Sequence, residues 1–224
     1  MSTVLFVVSS ARTWTLSDGT AHPTGFWAEE LLTPYRLLTG AGHDVQFATP
    51  DGAAPVADAA SFGDDGDAER DELAAIPGLA TPLPISEVRL SAYDAVFYPG
   101  GHGPMEDLAH DAHSGALITD ALAADKPIAL VCHGLAALLA ATRPDGTLAA
   151  AGRRVAAFTD AEEKQAGLAD RAPWLLESTL RDRGVVVDPA EPWADHTVTD
   201  GNLVTGQNPQ SSASVAEALL QRLA

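Results

Sequence analysis

One cysteine with the histidine and glycine that follow it, and a second run rich in glycine, carry the chemistry open to this sequence. Cys132 is the only cysteine in the chain, and His133 and Gly134 follow it directly. An ionised thiol is a strong nucleophile, an imidazole can take up its proton, and a glycine permits the tight turn that would present both. The second run, Gly100-Gly101-His102-Gly103, could turn open backbone N–H groups toward an oxyanion. Gly100, Gly101, His102 and Gly134 are therefore candidate oxyanion or substrate-binding positions. Each feature also has an ordinary reading, since a lone cysteine is often a small buried hydrophobe and a glycine-rich turn is often only a loop.

These residues need a scaffold, and the residues around them describe one. Ile128-Ala129-Leu130-Val131 is apolar without interruption, which suits a parallel strand covered on both faces, and the Ala/Leu-rich run behind Gly134 reads as a helix. Cys132 falls at the junction, at the carboxyl edge where open α/β sheets keep their sites, and helix N–H groups beside the sulfur would favour the thiolate. Val4 to Val8, Val45 with Phe47, and Asp94 to Tyr98 read as further strands. Arg154 to Phe158 and Val185 to Val187 follow, and Asp200-Gly201 marks a hairpin within 197–206.

Helices are expected after Thr24 as a possible N-cap, over about 116–124, around Trp174 to Leu180, and from about Ser211 to the end. Pro34 should kink the first of these near Glu30. Residues 53–90 are rich in Ala, Asp, Gly and Pro, with acids at Asp64, Asp65, Asp67 and Glu69, and read as a surface insertion or lid. The pattern implies one α/β domain over 1–224, a mostly parallel sheet with helices on both faces.

Composition narrows the function classes. The chain has 224 residues with 31 acidic against 13 basic, a net charge of −18, which repels phosphate backbones and anionic lipid. No nucleic-acid or membrane partner is expected. A single cysteine forms no internal disulfide, and the first apolar run is too short for a signal core, so a cytoplasmic location is expected. His102 and Glu106 are four apart, but Gly103 and Pro104 between them do not suit a helical chelate; no metal or cofactor is expected. His196 could reach a pocket from its loop.

With these pieces placed, the chain resembles the ThiJ/PfpI superfamily, whose class I glutamine-amidotransferase-like domain is flavodoxin-like. Within it the chain is most similar to the cofactor-independent glyoxalase III and heat-shock chaperone branch. The resemblance rests on Thr24-Gly25-Phe26 through Glu29-Glu30 and Pro34, on Gly100 to Gly103, on Val131 to Gly134, and on Phe158-Thr159-Asp160 through Glu163. It also rests on Pro192-Trp193, Thr199-Asp200-Gly201, and Leu203 to Gly206 with Asn208-Pro209. It implies that Glu30, four residues before the helix proline, contacts Cys132, with Glu29 as competitor. It also implies an acidic third member of a Cys-His-acid set, best matched by Glu163, with Asp160 and Glu162 as neighbours. Leu135 and Ala194 depart from the branch's usual residues. The implied activity converts a small aldehyde such as methylglyoxal to a 2-hydroxy acid through Cys132, His133, Glu30 and Glu163, in a homodimer. Alternatives implied by the same resemblance are a holdase chaperone and a deglycase using the same cysteine.

Overall fold

The computed structural model describes residues 1–63 and 66–224; Asp64 and Asp65, from the acidic cluster, lie outside the described residues. The chain opens with β1 (Thr3–Val7), a short hairpin of β2 (Thr13–Thr15) and β3 (Ala21–Pro23), then α1 (Ala28–Gly40), β4 (Asp44–Thr49), α2 (Gly66–Ala75) and β5 (Leu83–Pro84). It continues through β6 (Ala95–Tyr98), α3 (Gly103–Glu106), α4 (Ala112–Ala123), β7 (Ile128–Val131) and β8 (Arg154–Val155). The last elements are α5 (Asp160–Gln165), α6 (Leu176–Asp182), β9 (Val186–Val187), β10 (Thr197–Asp200), β11 (Leu203–Gly206) and α7 (Ser212–Leu223).

Seven strands form the central sheet in the order β10-β11-β7-β6-β1-β4-β5. All pair in parallel except the β10–β11 hairpin that closes one edge. The three uninterrupted apolar strands take the centre, because only there are both faces covered. Val4 to Val7, Ala95 to Tyr98 and Ile128 to Val131 are all fully buried. Burying each large apolar side chain among them contributes roughly 1.5–3 kcal/mol. Helices surround the sheet: α1 and α7 pack on each other and over β4, β7 and β11, while α4 lies against β7.

Three sequence expectations change. Residues 154–158 do not join the main sheet; only Arg154 and Val155 are strand, paired with β9 in a separate two-stranded parallel sheet. The stretch 53–90 is more than a surface loop, since β5 is the sheet's edge strand and Leu73, Ile76, Leu79 and Ile85 are in the core. Thr24 does not cap α1. Its hydroxyl donates to Asp58 Oδ2 at 2.9 Å, Trp27 occupies the cap position, and the helix runs through Pro34 as one element.

Candidate active site

The sheet's carboxyl edge gathers the candidate residues around Cys132. Hydrogen bonding in β7 stops at Val131, and the backbone turns at Cys132 with φ of 56°, a left-handed conformation that L side chains rarely adopt. Such a position costs on the order of 1–3 kcal/mol and is typical of residues held for function. The turn fits under β6 because Gly134 has no Cβ; one added there would sit 2.6 Å from the Tyr98 carbonyl oxygen. Gly134 thus serves this close approach.

Behind Cys132 the chain is a 3₁₀ segment, Cys132–Leu139, and not the α-helix read from the sequence. The expectation of a stabilised thiolate is corrected with it. Cys132 is buried; that burial, and then Glu30 beside it, push the thiol well above its ordinary value, while the N–H groups of His133 and Gly101 at the sulfur oppose the rise. The resting residue is a thiol, and its base lies next to it. Cys132 Sγ is 3.3 Å from His133 Nδ1.

His133 Nε2 lies 2.7 Å from Glu163 Oε2, and His102 Nε2 lies 2.9 Å from Glu163 Oε1. One carboxylate therefore accepts from two imidazoles, which assigns the proton of each ring to Nε2 and leaves His133 Nδ1 as an acceptor for the thiol proton. Burial and the nearby His102 hold His133 below its ordinary value, against the pull of Glu163, so the imidazole is neutral and able to act as a base. Burial pushes Glu163 up, but the electrostatic pull of the His133 ring and the hydrogen bonds from both histidines outweigh it and hold the carboxyl below the usual carboxylate range. The rings are wedged between aromatics, Trp14 stacking on His102 at 5.0 Å and Phe158 lying 4.3 Å from His133. Ligand atoms of His102, His133 and Glu163 all lie within 4.8 Å, close enough to share a cation, but both Nε2 atoms are already engaged with the carboxylate.

The second carboxyl comes from α1. Glu29 is exposed and Glu30 is fully buried, so the first helical turn points Glu30 inward. Its Oε2 accepts from the Gly100 N–H at 2.7 Å, which commits that N–H to Glu30 and away from an oxyanion. Oε1 makes no hydrogen bond of ordinary geometry, yet the carboxyl is close enough to the Cys132 thiol for each to perturb the other. Burial raises Glu30 to about 8, against the opposing influence of Cys132 and Gly100. At neutral pH it is a protonated donor. The glycine turn makes this approach possible: Gly101 has φ of 86°, and a Cβ there would meet the Gly25 carbonyl oxygen at 2.4 Å.

The three acids of the α5 turn divide their tasks. Asp160 bonds Ser178. Glu162 forms a capping box with Thr159, and its Oε1 accepts from the Trp193 N–H, Gln207 and Asn208. Glu163 alone meets His133. Trp193, Trp27 and Phe158 line the sulfur's chamber of about 70 Å³ with Cys132, His102 and His133. The sequence reading did not assign these aromatics, although Pro192-Trp193 stood in the resemblance. Thr159-x-x-Glu162 was a legible capping signature that would have set Glu162 apart from Glu163. His196 lies elsewhere, its Nε2 on the Asp188 carbonyl, and Glu106 binds Thr15.

No helix among the described residues is long and apolar enough to cross a membrane. The chain is 32% identical to the glutathione-independent glyoxalase hsp3101 of Schizosaccharomyces pombe, covering 97% of this chain and 94% of that one. It is 26% identical to glyoxalase 3 of Candida albicans over 98% of each chain. The crystal structure of glyoxalase III from Candida albicans superposes with a TM-score of 0.83 at 25% identity, covering 99% of this chain and 97% of that one. The Rapid Encystment Protein of 24 kDa from Francisella tularensis superposes at 0.90 with 28% identity over the whole of both chains. A profile of the DJ-1/PfpI family matches residues 22–222, and with this sheet order and these relatives the chain belongs to the DJ-1/PfpI family.

Proposed function

We propose that the protein is a glutathione-independent glyoxalase that converts 2-oxoaldehydes such as methylglyoxal to 2-hydroxy acids through Cys132. The observation that carries this reading is a buried thiol 3.3 Å from a neutral imidazole that is itself anchored on Glu163, with a second, protonated carboxyl at its side. As Sγ adds to the aldehyde carbon, its proton passes to His133 Nδ1 and on to the new alkoxide oxygen, giving a hemithioacetal. The N–H groups of His133 and Gly101, already turned to the sulfur, face the oxygen that develops charge.

His133, neutral again, removes the hydrogen from the former aldehyde carbon. Glu30 donates to the neighbouring ketone oxygen, so the electron pair is held as an enediol. Return of the proton from His133 to the adjacent carbon, as the hydroxyl on the former aldehyde carbon gives its proton back to Glu30, leaves a thioester of the 2-hydroxy acid, which water hydrolyses to free the acid and the thiol. The aldehyde carbon is oxidised by as much as the ketone carbon is reduced, so one water is the only other reactant. Glu163 orients His133 and stabilises its charged form.

The test is lactate formation from methylglyoxal without added glutathione; equal traces from wild type and Cys132→Ala refute the reading. The homodimer and the cytoplasmic location implied by the resemblance belong to the same proposal, and sedimentation and cell fractionation check them.

A further inference from the structure

The chemistry above takes place in the inner chamber, which is too small for more than the few heavy atoms of the dicarbonyl. It shares Trp27, His102, Ala166 and Trp193 with a wider vestibule of about 580 Å³, well within the size that holds an organic ligand. Trp193 stands at the junction and is held there in an unusual way. Its backbone is left-handed, with φ of 64°, a strained conformation for a bulky residue. Its N–H donates to Glu162 Oε1 at 2.8 Å and its indole Nε1–H to Gln165 Oε1 at 2.6 Å, both on α5 beside Glu163. Yet 38% of the residue faces solvent. Core packing does not explain a strained, doubly anchored tryptophan left this open, whereas a wall presented to a substrate does.

Charge points the same way. Among the described residues no lysine or arginine lines either compartment, and the vestibule's imidazoles are His22 and His102, the latter engaged with Glu163. Asp58, the vestibule's carboxylate, already accepts from the Thr24 hydroxyl and the Ala60 N–H. An anionic substituent would find no permanent cation here and would enter against a chain of net charge −18. Phe158 continues the aromatic surface inward, 5.6 Å from the Trp193 ring.

We infer that the substrate class is the neutral 2-oxoaldehydes bearing an apolar, preferably aromatic, substituent, which lies in the vestibule against Trp193 and Trp27 while its dicarbonyl enters the chamber. The inference rests on the glyoxalase reading and narrows it. For phenylglyoxal the balance is unchanged: one water is taken up, the aldehyde carbon is oxidised, the ketone carbon is reduced, and mandelate leaves.

The experiment compares kcat/KM for methylglyoxal, phenylglyoxal and para-carboxyphenylglyoxal in wild type, Trp193→Ala and Trp193→Phe, with thermal unfolding as the check on folding. Phenylglyoxal should exceed methylglyoxal by about tenfold, the lower end of what one apolar pocket contributes. The carboxylated analogue should fall at least about tenfold below phenylglyoxal. Trp193→Ala should bring the phenylglyoxal-to-methylglyoxal ratio toward one, and Trp193→Phe should keep most of it. The inference is overturned, with the glyoxalase reading intact, if methylglyoxal is turned over but phenylglyoxal is no better. It is equally overturned if the carboxylated analogue matches phenylglyoxal or if Trp193→Ala leaves the ratio unmoved. Should Trp193→Ala not fold, the wild-type comparison of the two aryl substrates decides. If neither methylglyoxal nor phenylglyoxal yields product, both readings fall together.

Discussion

Glu30→Gln should make the protein more stable and far less active, and the size of the first effect follows from burial. Glu30 is fully buried and its carboxyl is raised from the ordinary 4.5 to about 8. Between those values the unfolded chain carries an ionised Glu30 while the folded chain keeps it protonated, so the unfolded state is favoured as the pH rises. At 1.36 kcal/mol per pH unit the penalty is under about 1 kcal/mol at pH 5, about 3 kcal/mol at pH 7, and levels off near 5 kcal/mol above pH 8. Glutamine does not ionise, its oxygen can still accept from the Gly100 N–H, and its amide carries a donor where the protonated carboxyl carries one. The variant should therefore match wild type near pH 5 and gain about 3 kcal/mol at pH 7, roughly 6–12 °C in Tm for a chain of this length. Urea unfolding at pH 5, 6, 7 and 8 checks this, and the difference between the two proteins cancels every other titrating group. Turnover should drop by about 10²–10⁴, since an amide cannot pass on a proton. Parallel stability curves across this pH range would refute the reasoning, because they would mean that Glu30 is ionised in the fold.

Glu163→Gln should lower kcat by about 10²–10⁴, because His133 loses the carboxylate that orients and charges it. The folded carboxyl lies below its ordinary 4.5, so its stabilisation is present above that pH and lost as the pH falls; acid unfolding of the variant should lack that component. His102→Gln should retain much more activity and move the acid limb of the kcat profile to higher pH, since the neighbouring ring that holds His133 down is gone. An unshifted limb would remove His102 from the site's electrostatics. Gly101→Ala should destabilise the fold by more than the roughly 1–3 kcal/mol of left-handed strain, because its Cβ would also meet the Gly25 carbonyl. Gly19→Ala, with φ of 81° and nothing within 4 Å, is the control that shows strain alone in a urea titration.

The sequence disclosed most where a residue type had one physical use. Three short apolar runs read as strands covered on both faces, and β1, β6 and β7 are the buried middle of the sheet. Asp200-Gly201 marked the antiparallel pair of the central sheet. It disclosed least where neighbours in sequence differ only in the direction they face. Glu29 and Glu30 look alike until the helix phase is fixed, and Glu162 and Glu163 until the capping box is seen to occupy the first. The thiol's state was misjudged for a similar reason. The apolar run after Gly134 gave no sign of 3₁₀ geometry, and local sequence does not reveal that α1 brings a carboxyl against the sulfur.

Conformational strain and buried charge meet in this one corner of the fold. Among the described residues, three other than glycine have positive φ, and two of them, Cys132 and Trp193, line the sulfur's chamber. The third, Asp125, sits in the turn after α4, a residue type that tolerates the left-handed region. Neither strained side chain is free to relax. Cys132 is fixed by β7 on one side and by the contact of Gly134 with Tyr98 on the other, and Trp193 by Glu162 and Gln165. Glu162 and Glu163 thus bind one helix to both halves of the site, the first setting the aromatic wall and the second the base. A change that moves α5 must disturb substrate fit and proton transfer together, whereas a change in Trp193 alone disturbs only the fit.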